Sequence, residues 1–304
     1  MKIKAWLLLV FCNLFWAGNM IVGKFVTTHF PTVWIIFFRW LIAFLLLWPL
    51  ASLIEHPKWW KMIKENYLIL LFLSIIGTVL YNWITYTALR YTSSLNASLI
   101  NALNPGVILL FSAILLRQRM SIRQMVGLIL SFIGVLMVIT KGQLFSVLHT
   151  HYNRGDGLML IVIGMWAVYS IAGRAAKNIP PITLIAITSL IGFMVTLPFL
   201  PFYPLDMQGL NLSAISGMIF LGIFPSFLSF VFWNIGTRRL GAGVAGLSMN
   251  FICVFTAIIS ALMGERLLFP QIAGGLIIIF GIVLSSGALV LHKRTPQNKK
   301  EEIS

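Results

Sequence analysis

The sequence predicts an all-α membrane protein, with ten transmembrane helices arranged as two inverted five-helix repeats. Three observations lead there. First, 59% of the 304 residues are hydrophobic and only 10% are charged, against about 25% charged in a soluble domain. Too few charges remain to cover a water-facing surface, and the mean hydropathy is +0.96. Second, the apolar residues run in charge-free stretches of about 20, the length that crosses about 30 Å of hydrocarbon. Third, the two halves of the chain match each other in order. The apolar content excludes disorder. The net charge of +15 does not point to nucleic acid, because the basic residues lie in short loops between apolar runs.

The stretches place spans at 5–23, 32–53, 67–88, 94–116, 122–140, 157–173, 182–200, 212–235, 243–263 and 269–291. Their length and their lack of period-2 alternation make them helices. Lys2 and Lys4 before the first run, with Ala17 and Gly18 inside it, have the look of a signal peptide. Further spans follow at once, so the segment reads as an uncleaved first helix. The second span is argued from Arg39. The charge-free run after it, Trp40–Ile54, is 15 residues long, about 22 Å of helix and too short to cross. That helix must begin near Thr32, with Arg39 two turns inside it. Pro105 and Pro225 interrupt the fourth and eighth helices. Each removes a helical hydrogen bond, and the resulting kink is either a gating hinge or a static bend. Cys12 and Cys253 sit inside apolar runs and read as core residues, with neither disulfide nor metal implied.

Lys and Arg set the orientation. With the N-terminus inside, sixteen of the 22 fall in inside segments, five (Lys24, Arg90, Lys141, Arg154, Arg266) fall outside, and Arg39 lies within a span. Both termini are therefore expected in the cytoplasm, with the protein in the cytoplasmic (inner) membrane. An odd number of spans would scramble the bias.

The halves overlay at an offset near 150. Trp16-Ala17 matches Trp166-Ala167, Gly23 matches Gly173 and Lys24 matches Arg174. At 149, Pro31 matches Pro180 and Phe44 matches Phe193; at 147, Gln124 matches Gln271, Gly127 matches Gly274 and Gly134 matches Gly281. The organisation is a first repeat at 1–140, an external linker at 141–155, a second repeat at 156–292 and a polar cytoplasmic tail at 293–304. Five spans per repeat is odd, so the second enters the membrane from the opposite side. Such pairs provide inward- and outward-opening conformations around a midplane site, which points to a transporter.

The sequence at this point resembles the drug/metabolite transporter superfamily, in the branch built from two EamA domains. The residues that carry the resemblance are Asn13–Gly18 in the first helix and Gly164–Ala167 in the sixth. With them go Leu262–Leu267 and then Gln271–Gly274 between the last two helices, and Pro105 thirteen residues before Gln118. The resemblance implies ten helices, a central cavity and export of small metabolites such as amino acids, with helices five and ten outside the cavity. Two positions depart from the family pattern. Gln118 replaces a common Glu, and Ile252 replaces a proline, which leaves the ninth helix straighter than the fourth.

The candidate site follows from polar and aromatic residues within the spans. Arg39 faces a cavity or snorkels to the interface; facing a cavity, its planar fork suits a carboxylate or phosphate. Amides recur at Asn13, Asn19, Asn82, Asn101, Asn104, Asn234 and Asn250. Each is either glue between helices or part of a polar path. Aromatics accompany them, and Trp16 and Trp166 are both repeat-matched and central. The expected substrate-binding set is Trp16, Asn19, Arg39, Tyr86, Asn101, Trp166, Tyr169 and Trp233, with Pro105 and Pro225 as gating positions. No Asp or Glu lies at mid-span; Asp156 and Glu265 are at helix ends, and the five histidines are in loops or at a helix edge. Catalytic triads, metal clusters and phosphate loops are missing, so no cofactor is expected. The sequence thus reads as a secondary transporter that exports a small amino-acid-like or organic-anion metabolite by alternating access, weakly coupled to protons. An intramembrane enzyme acting on lipid or peptide, and a non-transporting scaffold, remain as alternatives. The expected partners are a small-molecule substrate and the bilayer; oligomeric state is not set by the sequence.

Overall fold

The computed structural model describes residues 2–92, 97, 100–116, 121–149, 153–206, 210–264 and 268–286. Among these the chain is helical, with no strand. The helices are α1 (Lys2–Val26), α2 (Thr32–Ile54), α3 (Trp59–Tyr91), α4 (Asn104–Leu116), α5 (Ile122–Ile139), α6 (Arg154–Ala172), α7 (Pro181–Phe202), α8 (Leu212–Leu240), α9 (Ala242–Ile259) and α10 (Phe269–Ser286). Eight of them are long and apolar enough to cross a membrane; α4 and α10 are shorter. The start of the expected fourth span (94–96 and 98–99), Gln118, the stretch 265–267, the end of the tenth span and the tail lie outside the described residues. Large apolar side chains face outward. Leu53, Leu212, Leu262 and Phe269 are each more than 70% exposed, a surface suited to lipid.

Local chemistry explains the boundaries. α2 begins at Thr32, where the Arg39 argument put it. Pro31 and Pro180 hold extended backbone (φ −57°, ψ 145° and φ −56°, ψ 148°) just before α2 and α7, because proline fixes φ and supplies no N–H to a preceding turn. The matched glutamines are matched caps. Gln124 Oε1 accepts from Ser121 N at 2.9 Å, and Gln271 Oε1 accepts from Leu268 N at 2.9 Å, each satisfying an orphan donor at a helix start.

Two π-helical segments sit at corresponding places in the two halves of the chain, Ser74–Leu80 in α3 and Gly222–Leu228 in α8. A π turn leaves carbonyls outside the regular ladder, and indole N–H groups take them. Trp40 Nε1 donates to Thr78 O at 2.8 Å, and Trp16 Nε1 donates to Pro225 O at 3.2 Å. Pro225 therefore interrupts α8 through a π segment. Pro105 lies in the first turn of α4, after a turn at Ala102–Leu103, where its missing N–H costs nothing.

α9 has no proline at Ile252, yet it tightens into a 3-10 turn at Ser248–Asn250. The Ser248 hydroxyl donates to Ala245 O at 2.7 Å and accepts from Asn13 Nδ2 at 3.0 Å. Side-chain bonding of this kind competes with the helix ladder, so serine and a partner on α1 break a helix that has no proline there.

α5 and α10 pack antiparallel through glycine. A Cβ on Gly134 would stand 2.6 Å from Gly274 O, and one on Gly281 would stand 2.6 Å from Gly127 O. Small residues permit this close backbone approach within a membrane. Gly134→Leu is expected to part the two helices at a cost of about 1–3 kcal/mol or more, read as a lower thermal midpoint of the purified protein. Gly157→Leu, where an added Cβ meets nothing within 4 Å, should leave the midpoint in place. Equal midpoints for the two variants would refute the packing argument.

Candidate functional site

Two cavities flank an aromatic cluster in the core. Trp16 meets Trp166 edge-on, with centroids 5.0 Å apart, and both lie 5.4 Å from Trp233. Phe230 closes on Trp16, Trp166 and Tyr169 at 5.7–6.1 Å. One cavity, the chamber, is lined by Trp16, Asn19, Met20, Arg39, Tyr81, Asn82, Asn101, Trp166, Phe230, Met249 and Ile252. Its volume of about 20 Å³ holds roughly one water. The other, the vestibule, has about 430 Å³ and opens where α6 and α8 end. Its lining is Tyr169, Ser170, Gly173, Arg174, Lys177, Trp233, Asn234, Thr237, Arg238, Gly241 and Ala242. That volume suits a small metabolite. The rings of Trp166 and Trp233 stand between the two spaces.

Arg39 is 2% exposed and does not snorkel. Its Nε donates to Ser226 Oγ on α8 at 2.7 Å, and its Nη1 donates to Asn82 Oδ1 on α3 at 2.6 Å and to the Tyr86 hydroxyl. Tyr86 in turn donates to Asn19 Oδ1 on α1 at 2.8 Å. The guanidinium carbon lies 5.4 Å from the ring centroids of Trp40 and Tyr86. Three helices therefore position one fork, the usual way a buried guanidinium is held in a defined orientation. No described Asp or Glu pairs with it, and Nη2 finds no described acceptor. A second donor beside the chamber is also open, since Trp166 Nε1–H is buried without an acceptor. The buried polar groups here are rich in donors and lack an anion, and buried donors are ordinarily satisfied.

The structure divides the expected site. Trp16, Asn19, Arg39, Asn101 and Trp166 line the chamber; Tyr169 and Trp233 line the vestibule instead. Tyr86 lines neither. It is fully buried and supports Arg39, accepting from its Nη1, with its ring centroid 5.4 Å from the guanidinium carbon. Asn82, Tyr81 and Ser226 belong to the site although the expected set omitted them. Asn82 stands four residues before Tyr86, on the same face of α3, a spacing the sequence displays. Ser226 follows Pro225 in the π segment, and nothing in the sequence foretells how that segment turns its hydroxyl.

At the bundle end opposite the vestibule, α1, α3 and α6 are tied together. Lys24 Nζ donates to Thr92 O at 2.9 Å, and Thr92 Oγ1 donates to the Asp156 carboxylate. Asp156 also accepts from Asn153 N at 2.7 Å, closing a capping box at the start of α6. A Cβ on Gly155 would lie 2.7 Å from Ala88 O, so α6 starts directly against the end of α3. Among the described residues no three His, Cys, Asp or Glu side chains gather to hold a metal ion.

The family model of the EamA-like transporter family matches residues 3–140 and 153–287. An uncharacterized transporter of Bacillus subtilis, YyaM, is 29% identical over 79% of this chain and 79% of its own length. An uncharacterized transporter of Archaeoglobus fulgidus is 27% identical over 92% of this chain and 98% of its own. A probable terminal-alkyne amino-acid exporter of Streptantibioticus cattleyicolor is 21% identical over 67% and 66%. A solved crystal structure superposes with a TM-score of 0.76 at 20% identity, covering 94% of this chain and 97% of the other; it shows the shared fold.

Proposed function

The chain belongs to the EamA-like transporter family, and on that premise we propose that it is a secondary transporter exporting small organic anions, amino-acid-like metabolites among them. It is a multi-pass membrane protein of a transporter family, not an enzyme. The observation that carries the proposal is Arg39, a buried charge held by three helices beside the chamber with no carboxylate to meet it among the described residues. An uncompensated Arg at mid-helix costs about 2.5–3.5 kcal/mol on insertion scales, and a substrate carboxylate would offset it. The exporter name of one relative is consistent with an amino-acid-like cargo.

The proposed architecture is ten crossings in two inverted repeats, 1–140 and 156–292. Several observations support it. The family model matches the two halves separately. The π segments, prolyl helix starts and glutamine caps recur at corresponding places in the two halves. Gly127 faces Gly281 while Gly134 faces Gly274, the exchanged pairing of a two-fold axis. In the proposed orientation both termini are in the cytoplasm, so the open vestibule faces inward and the Lys24–Thr92 end is the closed outer gate. Reporter fusions after Ser304 are expected to show an internal C-terminus; an external one would overturn span parity and the inverted repeat together.

The substrate class is tested by thermal stabilisation of the purified protein with a panel of small carboxylates and their matching amides. Binding raises stability by mass action, about 2.7 kcal/mol at a hundredfold excess over Kd. Acids should stabilise and amides should not. Amides that stabilise as well as acids would contradict an anionic substrate.

A further inference from the structure

The vestibule holds more charge than its role as a passage requires. Arg174, Lys177 and Arg238 line it, and no described Asp or Glu does, although the Glu55 carboxylate is near enough to act on Arg238. Arg238 is engaged, donating through Nη2 to Ala176 O at 3.1 Å. Its repeat partner Arg90 donates in the same way to Phe30 O at the other end of the bundle. The pair Lys24 and Arg174 behaves differently. Lys24 is spent on Thr92 O. Arg174 lies beside Gly241, the repeat position of Thr92, with Nη2 3.7 Å from where a Cβ would stand. Among the described residues its guanidinium has no hydrogen bond or ion pair. The matched glycines repeat the contrast: a Cβ on Gly23 would press at 3.0 Å on the Tyr86 ring, whereas one on Gly173 would meet only its own helix carbonyls. In the same wall Ser170 is 6% exposed, and its buried hydroxyl has no hydrogen-bond partner among the described residues.

We propose that the vestibule is an anion-capture site, in which Arg174 and Lys177 take the charged group of an organic anion and Trp233 and Tyr169 receive its apolar body. Resting on the reading of Arg39 above, it is the first of two stations. The anion is collected at Arg174, then passes the aromatic partition to Arg39. Several features select this ligand class. The two cations favour a carboxylate or phosphate. The ring faces favour a flat or branched apolar body. Ser170 also lines the pocket, and its buried hydroxyl has no described partner, whereas buried polar groups are ordinarily satisfied.

The probe is 2-naphthoate, with uncharged 2-naphthamide as its size-matched control. Binding to the purified full chain in detergent is followed by quenching of tryptophan emission. Saturable naphthoate binding is expected, about tenfold weaker in Arg174→Gln, the decade that one strong charge-assisted hydrogen bond contributes to affinity. Arg174→Lys should recover most of it. Naphthamide should bind the wild type no better than naphthoate binds Arg174→Gln. Absence of saturable naphthoate binding, equal affinity in wild type and Arg174→Gln, or equal affinity for acid and amide would each overturn the proposal. Thermal midpoints of the variants show whether weaker binding is merely unfolding, and Arg174→Lys then carries the test. Failure here is distinct from failure of the central reading. Transport that stops in Arg39→Gln while naphthoate binding ignores Arg174 sinks only the vestibule site. Transport that survives Arg39→Gln sinks the central one.

Discussion

Replacing Arg39 by Gln is expected to abolish saturable transport while leaving the substrate-free protein as stable as before, or more so. The two effects have one cause. In the empty protein the guanidinium is a buried charge without a counter-ion among the described residues, held by Ser226, Asn82 and Tyr86. Removing the charge relieves its desolvation, and the Gln amide still offers a donor toward Asn82. The chamber of about 20 Å³ must widen to admit a substrate, and in that bound state the same charge meets the substrate anion. Truncating one partner of such a pair costs about 2–5 kcal/mol, roughly thirtyfold or more in affinity. Arg39→Lys should also lose transport clearly, since an ammonium lacks the fork that serves Ser226, Asn82 and the substrate together. A structural arginine would behave in the opposite way, with a lower thermal midpoint and normal affinity in the protein that folds. The measurements are thermal midpoint without substrate and initial rate in proteoliposomes, taken on the same preparations.

The second large effect is expected at Trp16 and Trp166. Each is nearly buried, and each packs on the other and on Trp233 and Phe230. Truncation to Ala costs about 3–5 kcal/mol for a well-packed ring. Trp16→Ala also strips the indole from Pro225 O in the π segment of α8. Both variants should insert in the membrane, because insertion follows the apolar spans, and both should transport more weakly with a raised KM. Trp166→Phe is the finer probe. It keeps one aromatic ring in the cluster and removes the N–H that has no described acceptor together with the rest of the indole, so its thermal midpoint is read beside its transport. Unchanged thermal stability with weaker transport would assign that N–H to the substrate. If Trp16→Ala and Trp166→Ala both transport at the wild-type rate, the site is elsewhere.

Much of this architecture was legible in the chain because lipid simplifies the physics. A helix must be apolar for about 20 residues, so charge-free runs mark spans, and the 15-residue run after Arg39 placed the start of α2 at the residue where it begins. The residues that match between the halves have matched duties in the structure: Gln124 and Gln271 cap, Pro31 and Pro180 start helices, and Gly134 and Gly281 yield space. The partition of the site was not legible. Tyr86 and Tyr169 look alike in sequence, yet one accepts from Arg39 and the other stands in the vestibule wall. Which way a tyrosine turns depends on the helix opposite it, and periodicity carries no record of that. The turn in α9 was hidden for a related reason. Proline announces a break from its own chemistry, whereas Ser248 breaks the helix together with Asn13, 235 residues away.

The central claim is that this chain carries a small organic anion across the membrane by gripping it at Arg39. Tracer exchange in proteoliposomes tests it most directly. Wild-type protein and Arg39→Gln are loaded on both sides with the same unlabelled carboxylate, without any ion gradient, and entry of the labelled acid is followed. Saturable exchange by the wild type, insensitive to an imposed pH difference and absent in Arg39→Gln, is the predicted result. Exchange that proceeds equally in Arg39→Gln, or a wild type that exchanges no carboxylate while exchanging its amide, would contradict the account.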